Sequence, residues 1–163
     1  MTETGKTRPD YVIELEEAYG APSQEGFGSA VFFERLKEND ELAEAALKEY
    51  QFFVGDLWQR YGEDAWMGPW KEVYSRQPDT IHDILAELRG MADPDAAMAV
   101  EMILENVDNP EQARLALVDA FDDPAVTELK AFNLGDGEAM AGILVAGRRP
   151  AQGEGTFLVF LMD

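Results

Sequence analysis

Residues 140–146 read Met-Ala-Gly-Ile-Leu-Val-Ala, and residues 156–162 read Thr-Phe-Leu-Val-Phe-Leu-Met. Both stretches are rich in β-branched and aromatic side chains and are bounded by glycine, aspartate or proline, which marks them as strands. Neither alternates apolar with polar: Ile143, Leu144 and Val145 are consecutive, and residues 157–162 are apolar throughout. Successive side chains of an extended chain point to opposite faces, so both faces of these strands are apolar. Strands of this kind are covered on both sides, by helices or, on one side, by a partner chain. At a sheet edge with one wet face, the 156–162 strand would leave a large apolar patch. It therefore belongs in the middle of a sheet or at a dimer seam.

Residues 127–134 read as a further strand, joined to 140–146 by a Gly135-Asp136-Gly137 turn. A polar loop over 147–155 carries Arg148, Arg149, Pro150, Gly153 and Gly155 and leads into the last strand. Before residue 124 the chain reads as helix and loop. Pro9 and Gly20 bracket a short helix over 9–19, and a loop over 21–28 precedes a helix over about 29–38 carrying Phe32, Phe33 and Leu36. Leu42, Ala46, Tyr50, Phe53, Leu57 and Tyr61 recur at spacings of three and four, the buried stripe of one long helix ending at Gly62. Residues 63–78 have no period and read as an aromatic-rich loop or broken helix. Asp79 and Thr80 open a further helix, with Asp83 three residues after Thr80 as in a capping box; it buries Ile81, Ile84, Leu85 and Leu88 and closes at Gly90. Asp93-Pro94 and Asn109-Pro110 each set a capping side chain before a proline and start two more helices. Asp123-Pro124 repeats the mark where the pattern turns to strands.

The expected fold is α+β: an N-terminal array of about five or six helices, then a C-terminal three-stranded antiparallel sheet. No linker rich in Gly, Ser or Pro divides the chain, so 1–163 is read as a single domain. At this length about 68–70% of the unfolded surface is buried, enough for a core without a staple.

Composition narrows function mainly by exclusion. With no cysteine, the chain lacks thiol nucleophiles, zinc-thiolate sites and disulfides. The first nine residues are polar and hold no apolar leader, and no apolar run approaches the length of a membrane span, so the expected location is the cytoplasm. Thirteen basic residues stand against 33 acidic ones, a net charge of −20. That balance disfavours nucleic acid and anionic membranes as partners and favours basic protein surfaces. Residues 130–163 hold four acidic and three basic side chains, −1 of the total, so the remainder of the chain carries −19. The acidic shell is therefore helical and the sheet region nearly neutral.

His82 is the only histidine, which excludes paired Glu-x-x-His di-iron sites and three-histidine metal centres. Asp79 shares its spacing-three face but supplies too few ligands, so His82 reads as a surface residue. No serine lies in a Gly-x-Ser-x-Gly elbow to form a triad with it. Carboxylates at spacing three, Glu38, Glu41 and Glu44, then Glu105 and Asp108, resemble hard-cation ligands but are equally the pattern of a solvated helix face. Gly26-Phe27-Gly28-Ser29 follows no strand, so a dinucleotide fingerprint does not apply. No cofactor is expected.

Aromatics cluster between 52 and 74. Phe53 and Tyr61 fit the buried stripe, while Phe52 and Trp58 lie off it, and Trp66 and Trp70 fall in the unpatterned loop. Phe52, Trp58, Trp66 and Trp70 are the candidate binding residues, as large apolar groups on a second face form either a thick core or a contact surface. The leading expectation is a noncatalytic acidic interaction module, of an inhibitor, immunity or adaptor type, that binds a basic protein. A homodimer through the C-terminal sheet is a further expectation. The alternative is a small carboxylate- and divalent-metal-dependent enzyme, or a ligand-binding domain with its pocket near residues 66–70.

Overall fold

The computed structural model describes residues 9–24, 27–77, 79–135 and 140–162. In chain order these form α1 (Asp10–Tyr19), β1 (Gly28–Arg35), α2 (Leu42–Val54), α3 (Asp56–Tyr61), α4 (Glu63–Met67), β2 (Lys71–Ser75), α5 (Ile84–Arg89), α6 (Pro94–Glu105), α7 (Pro110–Phe121), β3 (Glu128–Gly135), β4 (Ala141–Arg149) and β5 (Glu154–Met162). The expected three-stranded sheet is corrected to five strands, in the order β1-β5-β4-β3-β2, with every neighbouring pair antiparallel. The last three strands are the hairpin-linked group expected. Their outer neighbours come from earlier in the chain, where no strand was expected.

Both additional strands have a physical reason to escape a periodicity reading. In β1, Phe32 and Leu36 are spaced as on a helix. Yet Ala30 and Phe32 pack on one face and Val31 and Phe33 on the other, the two-residue period of a strand. Pairing with β5, from Gly28 opposite Leu161 to Arg35 opposite Glu154, holds that segment extended. β2 is a short edge strand with a register shift between Glu72 and Tyr74, and such a bulge breaks the alternation that would reveal it.

Helices cover both faces of the sheet. On one side Val12, Leu15 and Tyr19 of α1, with residues of α5, α6 and α7, pack against Leu129, Ala131, Ile143, Val145 and Leu158. On the other, α2, α3 and α4 cover Phe132, Leu134, Leu144, Ala146, Phe157, Val159 and Leu161. β5 thus divides its side chains between two separate cores, which is why its residues 157–162 are apolar throughout. It is hydrogen-bonded along both edges, to β1 and to β4. Neither β4 nor β5 has a free edge; the edges of the sheet are β1 and β2.

Two glycines admit the close packing of this layer. A Cβ on Gly142 would lie 1.9 Å from the Phe160 carbonyl oxygen, and one on Gly147 would lie 2.7 Å from the Phe121 ring. Among the helices, the expected long one is divided at Gly55, whose φ of 65° lies in the left-handed region. Leu42, Ala46, Tyr50 and Phe53 are buried as the stripe requires, but the break resets its phase. Beyond it Trp58 turns inward and Tyr61 is 56% exposed. α5 begins later than expected, capped by Asp83 on the Ala86 N–H, so Ile81 lies before it and is 85% exposed. Asp93 and Asn109 cap α6 and α7 as their proline signatures indicate. Asp136 and Gly137 of the expected turn, and Gly26 of the glycine-rich loop, lie outside the described residues.

Truncating the interior strand should be costly in proportion to burial. Phe157→Ala is expected to lower the unfolding free energy by about 3–5 kcal/mol, through lost transfer energy and the cavity left behind. Phe160, on the opposite face and only partly buried, should cost less. Urea unfolding of both variants checks the order, and a larger loss for Phe160→Ala would contradict this assignment of faces.

Candidate functional site

The four candidate aromatics do not form one surface. Trp58 and Trp66 are buried and stacked, with centroids 6.2 Å apart and an interplanar angle of 11°. The Trp66 indole N–H donates to the Leu57 carbonyl at 3.0 Å. Trp70 is half-buried and lies flat on Phe132 at 4.6 Å and on Tyr50 at 5.6 Å. Tyr50 joins the group at its centre, its hydroxyl accepting from the Gly135 N–H at 3.0 Å. These rings make the core between α2, α3, α4 and the sheet. Phe52 stands apart: it is 48% exposed and meets the group only through an edge contact with Phe32 at 5.8 Å.

The polar interior holds an ion pair that sequence patterning does not reveal. Arg76, just past β2, donates from Nε and one terminal nitrogen to both oxygens of Glu87 on α5, at 2.8 and 2.6 Å. Its other terminal nitrogen donates to the Phe121 carbonyl of α7 at 2.9 Å. The Tyr74 hydroxyl donates to Glu87 at 2.6 Å, and Asp122 accepts from the Ile84 N–H at 2.7 Å. Burial alone would raise the Glu87 carboxyl, but the Arg76 guanidinium and the Tyr74 hydroxyl hold it below the usual range. Burial, aided by Glu87, pushes the Tyr74 hydroxyl up to about 12. The network ties β2, α5 and α7 together, and its donors and acceptors are matched, so its chemistry is structural.

Two carboxyl pairs are different, because among the described residues neither forms an ion pair. Glu14 of α1 meets Asp119 of α7. Burial first, then the hydrogen bond to Asp119 and repulsion from Asp119 and Glu17, raise the Glu14 carboxyl above its ordinary value. Glu49 of α2, only 6% exposed, faces Glu34 of β1. Burial, the hydrogen bond to Glu34 and the nearby Glu34 charge push the Glu49 carboxyl up to about 9. Among the described residues neither Glu14, Glu17, Asp119, Glu34 nor Glu49 forms an ion pair. Several cations are committed elsewhere: Arg35 to Glu154, Lys71 to Asp93, Arg114 to Glu105 and Arg149 to Asp123. Arg148 is held by the backbone carbonyls of Lys37 and Asp40. Glu49 carries a visible signal in the sequence, since it stands three residues past Ala46 and four before Phe53, on the apolar stripe. Glu14 and Asp119 carry none, being brought together only by the packing of α1 on α7.

His82 lies before α5, with Nδ1 3.2 Å from the Asp123 carbonyl oxygen. Glu105 engages Arg89 and Arg114. Among the described residues no group of three or more His, Asp or Glu side chains is placed to hold a metal ion, and no helix is long and apolar enough to cross a membrane.

No family model matches this chain. No curated protein and no solved structure matches it either.

The Arg76–Glu87 pair gives a stability test. Glu87→Leu alone leaves a buried guanidinium without its main counter-charge and is expected to cost about 3–5 kcal/mol. Arg76→Met combined with Glu87→Leu should recover much of that loss, because a buried pair and an apolar pair of similar volume differ little. A double-mutant cycle by chemical denaturation measures the coupling, and additive losses would show that the pair does not act as a unit.

Proposed function

We propose that this chain is a noncatalytic interaction module whose α1–α7 face binds a basic surface of another protein. The observation that carries this reading is the Glu14–Asp119 contact with Glu17 beside it, an acidic ridge that forms no ion pair among the described residues. Such a ridge is held together at a cost to the free protein, since like charges repel and raise the Glu14 carboxyl above its ordinary value. A basic partner would relieve that repulsion on contact. The two helices run antiparallel here. Tyr11 lies under Arg149, which reaches the Ala120 carbonyl, while the Tyr19 hydroxyl bonds the Ile103 carbonyl of α6 and lies beside Arg114 in the first half of α7. The Glu14–Asp119 contact therefore bridges the two helices. Ile13 on α1 and Leu115 on α7, the latter 58% exposed, add apolar area to the same two helices. Exposed apolar area on the helices that carry these acids suits a steered encounter followed by desolvated contact. The net charge of −20 extends the attraction beyond the contact itself.

The test compares two sets of three neutralising changes. Glu14→Gln, Glu17→Gln and Asp119→Asn remove the ridge. Glu41→Gln, Glu44→Gln and Asp56→Asn remove equal charge from α2 and α3. A basic protein recovered with the wild-type chain from its own cells at low salt should associate about tenfold or more slowly with the ridge variant, within the range steering supplies. It should keep its rate with the second variant, apart from a small effect of net charge. Equal slowing by both sets would reduce the interaction to nonspecific attraction by a polyanion and overturn the reading.

A further inference from the structure

The two edges of the sheet are built differently. β2 has five residues and a register shift between Glu72 and Tyr74, and the Gln77 side-chain amide donates to the Ser75 carbonyl at 3.2 Å. A short, bulged strand with capped backbone is blunted against further pairing. β1 runs eight residues in unbroken register with β5 and holds no proline. Its outward groups follow from two bonds. The Leu36 N–H donates to the Gly153 carbonyl in continuation of the β5 ladder, so the even-numbered residues of β1 face β5 and the odd-numbered ones face outward. On that outer side the Val31 N–H is taken by the Gly20 carbonyl at 3.0 Å. Past Val31 the outward N–H and C=O groups of Phe33 and Arg35 have no backbone partner among the described residues.

The side chains beside this open stretch say what fits it. Phe32 packs on the α2 side of the sheet, and Glu34, two residues on, shares that face. Phe52 of α2 meets Phe32 edge-on at 5.8 Å and is 48% exposed, so apolar surface stands next to the edge. Beyond it a cleft of about 100 Å³ is lined by Glu34, Asp40, Glu41 and Glu44, with Arg35 and Lys48 as the cations. Arg35 is already paired with Glu154 at 3.5 Å, which leaves the cleft acidic. We infer that the outer edge of β1 takes an extended basic segment of another protein as a sixth strand. The main-chain groups of Phe33 and Arg35 supply the attachment, and alternate side chains the selectivity. Antiparallel pairing, the kind found throughout this sheet, sets a lysine or arginine opposite Glu34, in the cleft, and an apolar residue two places later opposite Phe32, against Phe52. A second copy is a poorer occupant, since it brings together two chains of net charge −20. The inference does not rest on the acidic ridge of α1 and α7, and its test uses a peptide rather than the partner proposed for that ridge.

The probe is the capped pentapeptide Lys-Thr-Lys-Val-Leu, with its central lysine opposite Glu34 and its leucine opposite Phe32. It is titrated into the full isotope-labelled chain at physiological salt and followed by amide NMR signals. Those of Phe33 and Arg35 are expected to move saturably, while those of β2 stay in place. Methylating the valine nitrogen removes the N–H that meets the Phe33 carbonyl and should weaken binding about tenfold. Methylating the leucine nitrogen, whose N–H points away from the edge, should change it by about twofold or less. Glu34→Lys should also weaken the peptide about tenfold and should accept instead the peptide with glutamate at its centre. No saturable movement at Phe33 and Arg35 up to about 5 mM peptide would overturn the inference. So would equal losses from the two methylations, or movement spread over the acidic helices. Signals of Phe33 and Arg35 that move with protein concentration alone would give the edge to a second copy and overturn it as well.

Discussion

The fold depends on covering both faces of a single antiparallel sheet. β4 and β5 bury side chains in two directions at once, so neither helical layer is dispensable. Without α2, α3 and α4, Leu144, Val159 and Leu161 face water; without α1, α6 and α7, Ile143, Val145 and Leu158 do. Antiparallel sheets often leave one face wet. This one does not, and the demand for cover explains why helices are threaded both before and between the strands that flank β3, β4 and β5. It also explains the glycines at 142 and 147, where backbone or a ring presses on the sheet too closely for a Cβ.

Much of this was legible in the sequence where one segment carried its own signal. β4 and β5 announced themselves by unbroken apolar runs, and the caps of α6 and α7 by an Asp or Asn before proline. β1 was not legible, because Phe32, Phe33 and Leu36 fit a helix as well as a strand, and only the ladder to β5 decides between them. β2 was hidden by its bulge and by the lack of any fully buried side chain. The division at Gly55 was masked by a stripe that ran on through it, so Trp58 and Tyr61 exchanged their expected sides.

The same distinction holds for the candidate sites. The crowding of Phe52, Trp58, Trp66 and Trp70 was plain, but whether each ring faces in or out depends on how α3 and α4 fold back beneath Tyr50. The acidic excess was plain too, whereas its arrangement was not. Cations are absorbed into internal pairs and backbone clamps, which leaves particular carboxyls without an answer. Glu49 was within reach of a sequence reading as an acid on an apolar stripe. The pairing of Glu14 with Asp119 was not, because the two are joined only through tertiary contact.

The place of β5 between β1 and β4 has a consequence for how the molecule comes into being on the ribosome. The strand flanked on both sides follows both of its neighbours in the chain, and its partner Gly28 was synthesised long before Leu161. Until β5 emerges, β1 and β4 each present an unpaired edge, and both helical layers lack part of the surface they cover. Contacts this distant along the chain close late, since the entropy of the intervening loop must be lost first. The nascent chain therefore passes through a stage with exposed strand edges and apolar helix faces, the kind of species that chaperones hold. Its dense negative charge keeps such chains apart from one another during that interval.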